Sequence, residues 1–351
     1  MTERRPGPRR ARLVVSATLA AALVAAGGAM VRAAPADFPD GFRAHHTYAE
    51  LRAELEDLAA AHPSIVSLRS IGRSFEGRKL LAVKISDSVV VDQNEREVYV
   101  DGGIHGHEHA STEQALELIH WLVDGYGTDE RTTAIVDSTE IWVLPMVNPD
   151  GAMYDISGAE FHHWRKNRKP NSDGSVGTDI NRNFGYRWGG AGSSATPTDG
   201  FYRGAKAWST PEARRMRDFV RSRRTGSGQQ IQLALTIHSQ GEFVMFPFGW
   251  TSNPEADAMR PGDRALLAEL ADGVATRNGY RALQAGQLYR SSGTFMDWAY
   301  AKQHIYTLTL EMAPPVSVEN GWYLPDDQLA IELERNRDAL LWFLEQAQAL
   351  D

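Results

Sequence analysis

Val98-Tyr99-Val100-Asp101-Gly102-Gly103-Ile104-His105-Gly106-His107-Glu108-His109 is an apolar strand that runs out through two glycines into a cluster of metal-binding side chains. His105 and Glu108 lie three residues apart, a spacing that puts both side chains on one face of a helical turn. A third donor stands far along the chain, at the end of a second apolar run, Ile231-Gln232-Leu233-Ala234-Leu235-Thr236-Ile237-His238. Two histidines and one glutamate form an open zinc set, with a coordination position left for water. A rival reading takes His105-Gly106-His107-Glu108-His109 as an inverted zincin motif, with both outer histidines as ligands and Glu108 as the base. That chemistry needs an established helix under the motif. Three crowding glycines, with helix entry expected near Ser111 or Thr112, favour the first reading.

Outward from this stretch, strand-like runs fall near Ile65–Ile71, Leu80–Ile85, Val98–Ile104 and Ile141–Val147. Helical patterns fall at Tyr48–Ala61, ended by His62-Pro63, and at Thr112–Val123. Ser209-Thr210-Pro211-Glu212 is a helix start reaching toward Arg223, and a last helix is expected over Asp326–Ala347. Strands interleaved with helices give an α/β sandwich around one sheet. No repeat and no linker divides the chain, so 37–351 reads as a single domain. The long polar stretch from Asn148 to Ala207 lacks periodicity, and such segments in a compact domain usually carry function.

Further motifs follow in a fixed order: Phe75-Glu76-Gly77-Arg78, Asn148-Pro149-Asp150-Gly151, Trp164-Arg165-Lys166-Asn167-Arg168, Gly177-Thr178-Asp179-Ile180-Asn181-Arg182-Asn183-Phe184, Phe246-Pro247-Phe248-Gly249, Tyr289 and Thr309-Leu310-Glu311. Together with the His-x-x-Glu stretch they resemble the zinc carboxypeptidases of the carboxypeptidase A family, most closely the bacterial carboxypeptidase T branch. The resemblance spans Asp37 to the last helix. It implies a single-domain α/β sandwich with a mixed, mainly parallel sheet flanked by helices, and one catalytic Zn2+ on His105, Glu108 and His238. It implies Glu311 as general base and Arg165 as the residue facing the oxyanion. Asn181 and Arg182 would clamp the substrate's terminal carboxylate, for which a guanidinium fork is well suited. Tyr289 would cap the substrate, and Arg168 would be a further anion contact or a structural cation.

Relatives that prefer C-terminal Lys or Arg carry an acid in the segment before Asp297-Trp298. Here it reads Ser292-Gly293-Thr294-Phe295-Met296. An unpaired substrate cation would be costly to bury, so an apolar or aromatic terminal residue is expected, with Met296 as a pocket residue or as core. Two positions depart from the family pattern: His107 replaces a common arginine, and Gln240 a common tyrosine. The run Ser86–Glu97 is similar to a calcium loop of the same branch, with Asp87, Asp92, Glu95 and Glu97 as candidate Ca2+ ligands and Gln93 in place of one acid. A solvated acidic loop is the alternative.

The chain opens with Arg4, Arg5, Arg9, Arg10 and Arg12, then the apolar run Leu13–Ala26 and Val31-Arg32-Ala33. This reads as a signal peptide over 1–33, with an uncleaved anchor as the alternative. A secreted monomer with no stable membrane insertion after signal removal is the expectation. Net charge is −8 and becomes more acidic without the leader, which carries six arginines and one glutamate. That argues against nucleic acid as a partner, whose binding needs clustered Lys and Arg. The absence of cysteine excludes disulfides and thiolate chemistry. Three functions stay open at this stage: an exopeptidase acting on peptides with a free C-terminal carboxylate, a zinc amidopeptidase acting on cell-wall peptides, and a weakly catalytic peptide-binding protein.

Overall fold

Which strands are apolar throughout decides the middle of the sheet. The computed structural model describes residues 37–350, apart from Gln93, Asn94, Ser227, Glu255, Asp257 and Asn320. The expected signal peptide therefore lies outside the described residues. Ten strands are defined: β1 Val66–Arg73, β2 Lys79–Ile85, β3 Arg96–Asp101, β4 Thr139–Leu144, β5 Arg224–Thr225, β6 Gly228–Gln229, β7 Ile231–Gly241, β8 Phe243–Phe246, β9 Arg281–Gln284 and β10 Tyr306–Pro315. β5 and β6 form a separate small hairpin, and the other eight form one sheet in the order β1-β2-β4-β3-β7-β10-β8-β9. β4 is buried at every residue, β3 and β7 nearly so, and β10 through residues 307–310 and again at Met312 and Ala313. Strands covered on both faces read as continuous apolar runs, whereas an edge strand need not. β1, at the edge, is largely exposed or half-buried.

β3 pairs in parallel with both β4 and β7, β7 with β10, and β8 with β9; the remaining pairs are antiparallel. The sheet is thus mixed and mainly parallel. It is flanked by helices α1 Tyr48–Ala61, α2 His109–Gly125, α3 Glu130–Ser138, α4 Pro149–Asp155, α5 Pro211–Ser222, α6 Asp263–Asn278, α7 Ala285–Leu288, α8 Phe295–Gln303, α9 Asp326–Arg335 and α10 Arg337–Glu345. The α/β sandwich expected from the sequence is what forms.

Local differences have local causes. β3 stops at Asp101 rather than Ile104, because the chain turns at Gly103 with φ +62°. α2 begins at His109, earlier than Ser111. The expected last helix is broken at Asn336, whose side-chain amide donates to the Glu332 carbonyl. α4 lies inside the stretch read as irregular. The rest of that stretch is held by buried asparagines. The Asn183 amide donates to the carbonyls of Arg203 and Lys206 while its oxygen accepts the Thr210 N–H. Asn167 donates to Glu212 and accepts the Thr178 N–H. Buried loop backbone needs partners of this kind.

Candidate active site

Parallel pairing assembles the centre. Glu311 on β10 stands in register with His238 on β7, and Asp101 at the end of β3 stands in register with Thr236, two residues before His238. Adjacent in-register residues of parallel strands share a face about 4.8 Å apart. The loop after β3 then brings in His105 and Glu108. The site lies toward the carboxyl ends of these strands, where open α/β sheets commonly bind ligands. Gly106 is required by a close approach: a Cβ there would stand 2.5 Å from the Trp164 carbonyl oxygen. Its N–H donates to the Arg165 carbonyl at 3.0 Å, tying the metal-binding loop to the arginine.

His105, Glu108 and His238 are all buried, and their ligand atoms lie within 4.8 Å of one another. Glu108 Oε1 is 2.7 Å from His105 Nδ1, and Oε2 is 2.9 Å from His238 Nδ1. His238 Nδ1 and His105 Nδ1 are only 3.2 Å apart. Two imidazoles and a carboxylate converging this closely fit a divalent zinc ion. Asp179 orients the set: Oδ1 lies 3.2 Å from His105 Nε2, while Oδ2 accepts from Arg165 Nε at 3.0 Å. Against the cost of burial, Arg165 and His105 hold this carboxyl well below the usual carboxylate range. Such an outer partner fixes a ligating histidine's orientation.

The three candidate ligands line a cavity of about 490 Å³ together with Arg165, Asn181, Arg182, Tyr289 and Glu311. Burial, and then the Glu108 charge, push Glu311 up to about 8. Arg182 is buried, with Nε donating to the Gly192 carbonyl and Nη1 to the Asn181 carbonyl. Its Nη2 has no protein partner, although it is buried. Asn181 is held by its oxygen, which accepts the Phe295 N–H at 2.8 Å. Tyr289 is exposed at the rim. An adjoining recess of about 20 Å³ is lined by Met245, Ala285, Met296 and Thr309 together with Asn181, Arg182 and Glu311. The nearby Asp297 is turned away, accepting the N–H groups of Gly249 and Trp250, and burial pushes it up to about 7.

Some expected residues stand elsewhere. Arg168 does not line the cavity; its guanidinium lies 3.5 Å from the Tyr154 ring centroid and 4.5 Å from that of Trp164. It is a structural cation, because two aromatic faces already hold it. His109 points to Asp155 at 3.0 Å, away from His238, so the inverted zincin reading fails on geometry. His107 stacks on Trp322, and burial pushes its ring down to about 4. Gln240 lines the cavity, its amide donating to the Val318 carbonyl.

Of the four proposed calcium ligands only Asp92 and Glu97 come together, with Glu140, their oxygens within 4.8 Å of one another. Glu97 and Asp92 both pair with Arg223, whose guanidinium also approaches Glu140, itself bonded to Lys84 at 2.7 Å. Glu95 is half-buried beside Asp87, which with burial raises its pKa. Arg223 already neutralises Asp92 and Glu97, and calcium gains no support there. Phe75-Glu76-Gly77-Arg78 and Asn148-Pro149-Asp150-Gly151 prove to be one structural lock: buried Asp150 accepts from Ser74 Oγ, the Glu76 N–H and Arg78 Nη1, each at 2.7 Å. Sequence reasoning missed Asp179, Phe201 and Trp322. Only Asp179 left a signal, a lone acid inside a motif otherwise assigned.

Fold and site together place a convergent His-His-Glu donor set, of the kind that metal-dependent hydrolases use, in a cavity that Arg182 also lines. The family model for zinc carboxypeptidases matches residues 51–339, and the chain belongs to that family. It is 38% identical over 308 residues to a zinc carboxypeptidase of Saccharothrix mutabilis subsp. capreolus, covering 88% of this chain and 70% of the relative. It is 31% identical to carboxypeptidase A2 of Rattus norvegicus, over 82% of this chain and 66% of that one. Carboxypeptidase A from Helicoverpa armigera superposes with a TM-score of 0.76 at 25% identity, covering 87% of this chain and 74% of the other. The chain is therefore a zinc metallocarboxypeptidase-type hydrolase acting on peptides.

Proposed function

We propose that the protein is a secreted carboxypeptidase that releases apolar or aromatic C-terminal residues. The observation that carries this reading is Arg182 Nη2, buried without a hydrogen-bond partner on a side chain that lines the cavity of the metal-binding set. A buried cation nitrogen without an acceptor is costly, and a substrate's α-carboxylate supplies the missing acceptor. Asn181 stands beside it as a second contact, and Tyr289 covers the opening. His105, Glu108 and His238 would hold the zinc ion, which supplies a Lewis acid that activates water and polarises a carbonyl.

Glu311 takes the proton of the attacking water and passes it to the leaving amine, a shuttle suited to a carboxyl group raised toward neutrality. Arg165 faces the oxygen that becomes negative, held by Asp179 so that no reorganisation is needed as charge develops. Apart from Glu311, proposed as the proton carrier, no acid lines the Met245–Met296 recess, and its thioethers adapt to apolar side chains. Secretion rests on the basic-then-apolar leader of residues 1–33. Among the described residues no helix is long and apolar enough to cross a membrane.

A mass-spectrometric time course would test this on a peptide ending in Phe, its C-terminal amide and a peptide ending in Lys, with and without a zinc chelator. Chelator-sensitive loss of Phe from the free acid alone is the expected result. Arg182→Met should raise KM for the free acid by roughly 100-fold, the worth of a charge-assisted contact. Equal cleavage of acid and amide would sink the carboxylate-clamp reading.

A further inference from the structure

We infer that Asp155 is a positioning residue for the hydrolytic centre, its one buried carboxylate fixing together the three chain segments that carry Glu108, Arg165 and Trp322. Asp155 ends α4, is fully buried and lies outside the cavity. Its Oδ2 is 3.0 Å from His109 Nε2. Its Oδ1 accepts the Trp164 N–H at 2.6 Å. The Tyr323 hydroxyl donates to both oxygens, at 3.2 and 3.0 Å. Its own carbonyl accepts the His162 N–H at 2.9 Å.

Each side-chain partner is the immediate chain neighbour of a cavity residue. His109 follows Glu108, Trp164 precedes Arg165, and Tyr323 follows Trp322. Those segments come from α2, from the loop after α4 and from the loop after β10, so only a tertiary contact sets their mutual distances. A carboxylate suits the junction because it accepts from several donors at once, and charge assistance strengthens each bond. An aromatic shell encloses it: Phe161 stacks on Tyr323 at 3.8 Å, and Phe38 meets the His109 ring edge-on at 4.8 Å. Water is thereby kept from competing, and removing the carboxylate would leave three donors unsatisfied. A shift of about 1 Å in Trp164 passes directly to Arg165, and misplacement of that size costs on the order of 100-fold in rate.

This inference rests on the roles proposed above for Glu108 and Arg165. The test compares wild type, Asp155→Ala, Asp155→Asn and Tyr323→Phe, with Phe42→Ala as a packing control that touches the shell and not the carboxylate. Two readouts are taken per active site: kcat and KM on short and upstream-extended peptides, and the rate of zinc transfer to a chromogenic chelator. Asp155→Ala should lower kcat at least tenfold and release zinc at least tenfold faster. Asp155→Asn, which keeps an acceptor for Trp164 and Tyr323, should recover kcat to within about threefold. Tyr323→Phe should raise KM roughly threefold or more on extended peptides alone, and it carries the test if Asp155→Ala does not fold. Phe42→Ala should lower thermal stability with both readouts unchanged. Wild-type kcat and zinc release in the Asp155 variants, or wild-type KM in Tyr323→Phe, would overturn the inference while leaving the peptidase reading intact. A wild type without peptidase activity would instead overturn that reading, and zinc release would still decide the role of Asp155.

Discussion

Glu108 and Glu311 line one cavity, yet their surroundings drive them in opposite directions. Glu108 sits between two histidines, which hold it well below the usual carboxylate range despite burial; desolvation, and then the Glu108 charge, push Glu311 up to about 8. Pairs of carboxyl groups separated in this way mark a division of labour, here ligand against proton carrier. Glu311→Gln should therefore lower kcat by roughly 1,000-fold while zinc content, read by metal analysis, stays at wild type; loss of zinc would recast Glu311 as a ligand. Met296→Asp should move the terminal-residue preference toward Lys and Arg, measured as the ratio of kcat/KM for peptides ending in Lys and in Phe. An unchanged ratio would return Met296 to core packing. At this scale the sequence names His105, Glu108, His238, Glu311, Arg165, Asn181 and Arg182, and the fold gathers all of them at one cavity. It leaves Arg168 between an anion contact and a structural cation, because a guanidinium near a motif has two stable fates, and its place over Tyr154 and Trp164 favours the second.

The helices show how far local pattern reaches. Thr47 and Glu50 form a reciprocal capping box at the start of α1, and the expected span Tyr48–Ala61 matches the observed one. The C-terminal helix is different. Its apolar spacing runs on through Asn336, but buried Asn336 donates to the Glu332 carbonyl and accepts from Asn278 at 2.9 Å. The break depends on a partner 58 positions away, which no window of sequence contains. Asn336→Ala should destabilise the fold by about 2–3 kcal/mol, since it leaves Asn278 unsatisfied, as read from the urea unfolding midpoint. Catalysis should not change. A loss under 0.5 kcal/mol would mean that the α9–α10 junction is held by packing alone.

Across the whole molecule, the N-terminal segment is bound to α2 through His46. Its N–H donates to Glu113 Oε1, and its ring lies 2.7 Å from Glu113 Oε2 and 2.9 Å from Glu54. The Glu113 bond, opposed by burial and helped by the Glu54 charge, raises the ring to about 9 from 6.5. A raised folded-state pKa stabilises fully below the unfolded value and is lost as pH climbs through the folded one. Wild type should therefore lose on the order of 1–2 kcal/mol between pH 6.5 and 9, discounted for a partly solvated pair. His46→Gln should lose less over the same window; parallel stability curves would remove His46 from the account. By itself the sequence determined the α/β class, most elements around the metal-binding loop and which side chains are candidate donors, because hydrophobic period and donor chemistry are local properties. Only the tertiary structure decided that Glu311 stands beside His238, that Arg182 keeps one nitrogen free, that Arg223 and Lys84 occupy the acidic run, and that Asp155 joins three segments. Each of these depends on strand register or on contacts between residues far apart in the chain, and such distances are set by packing the whole sheet at once.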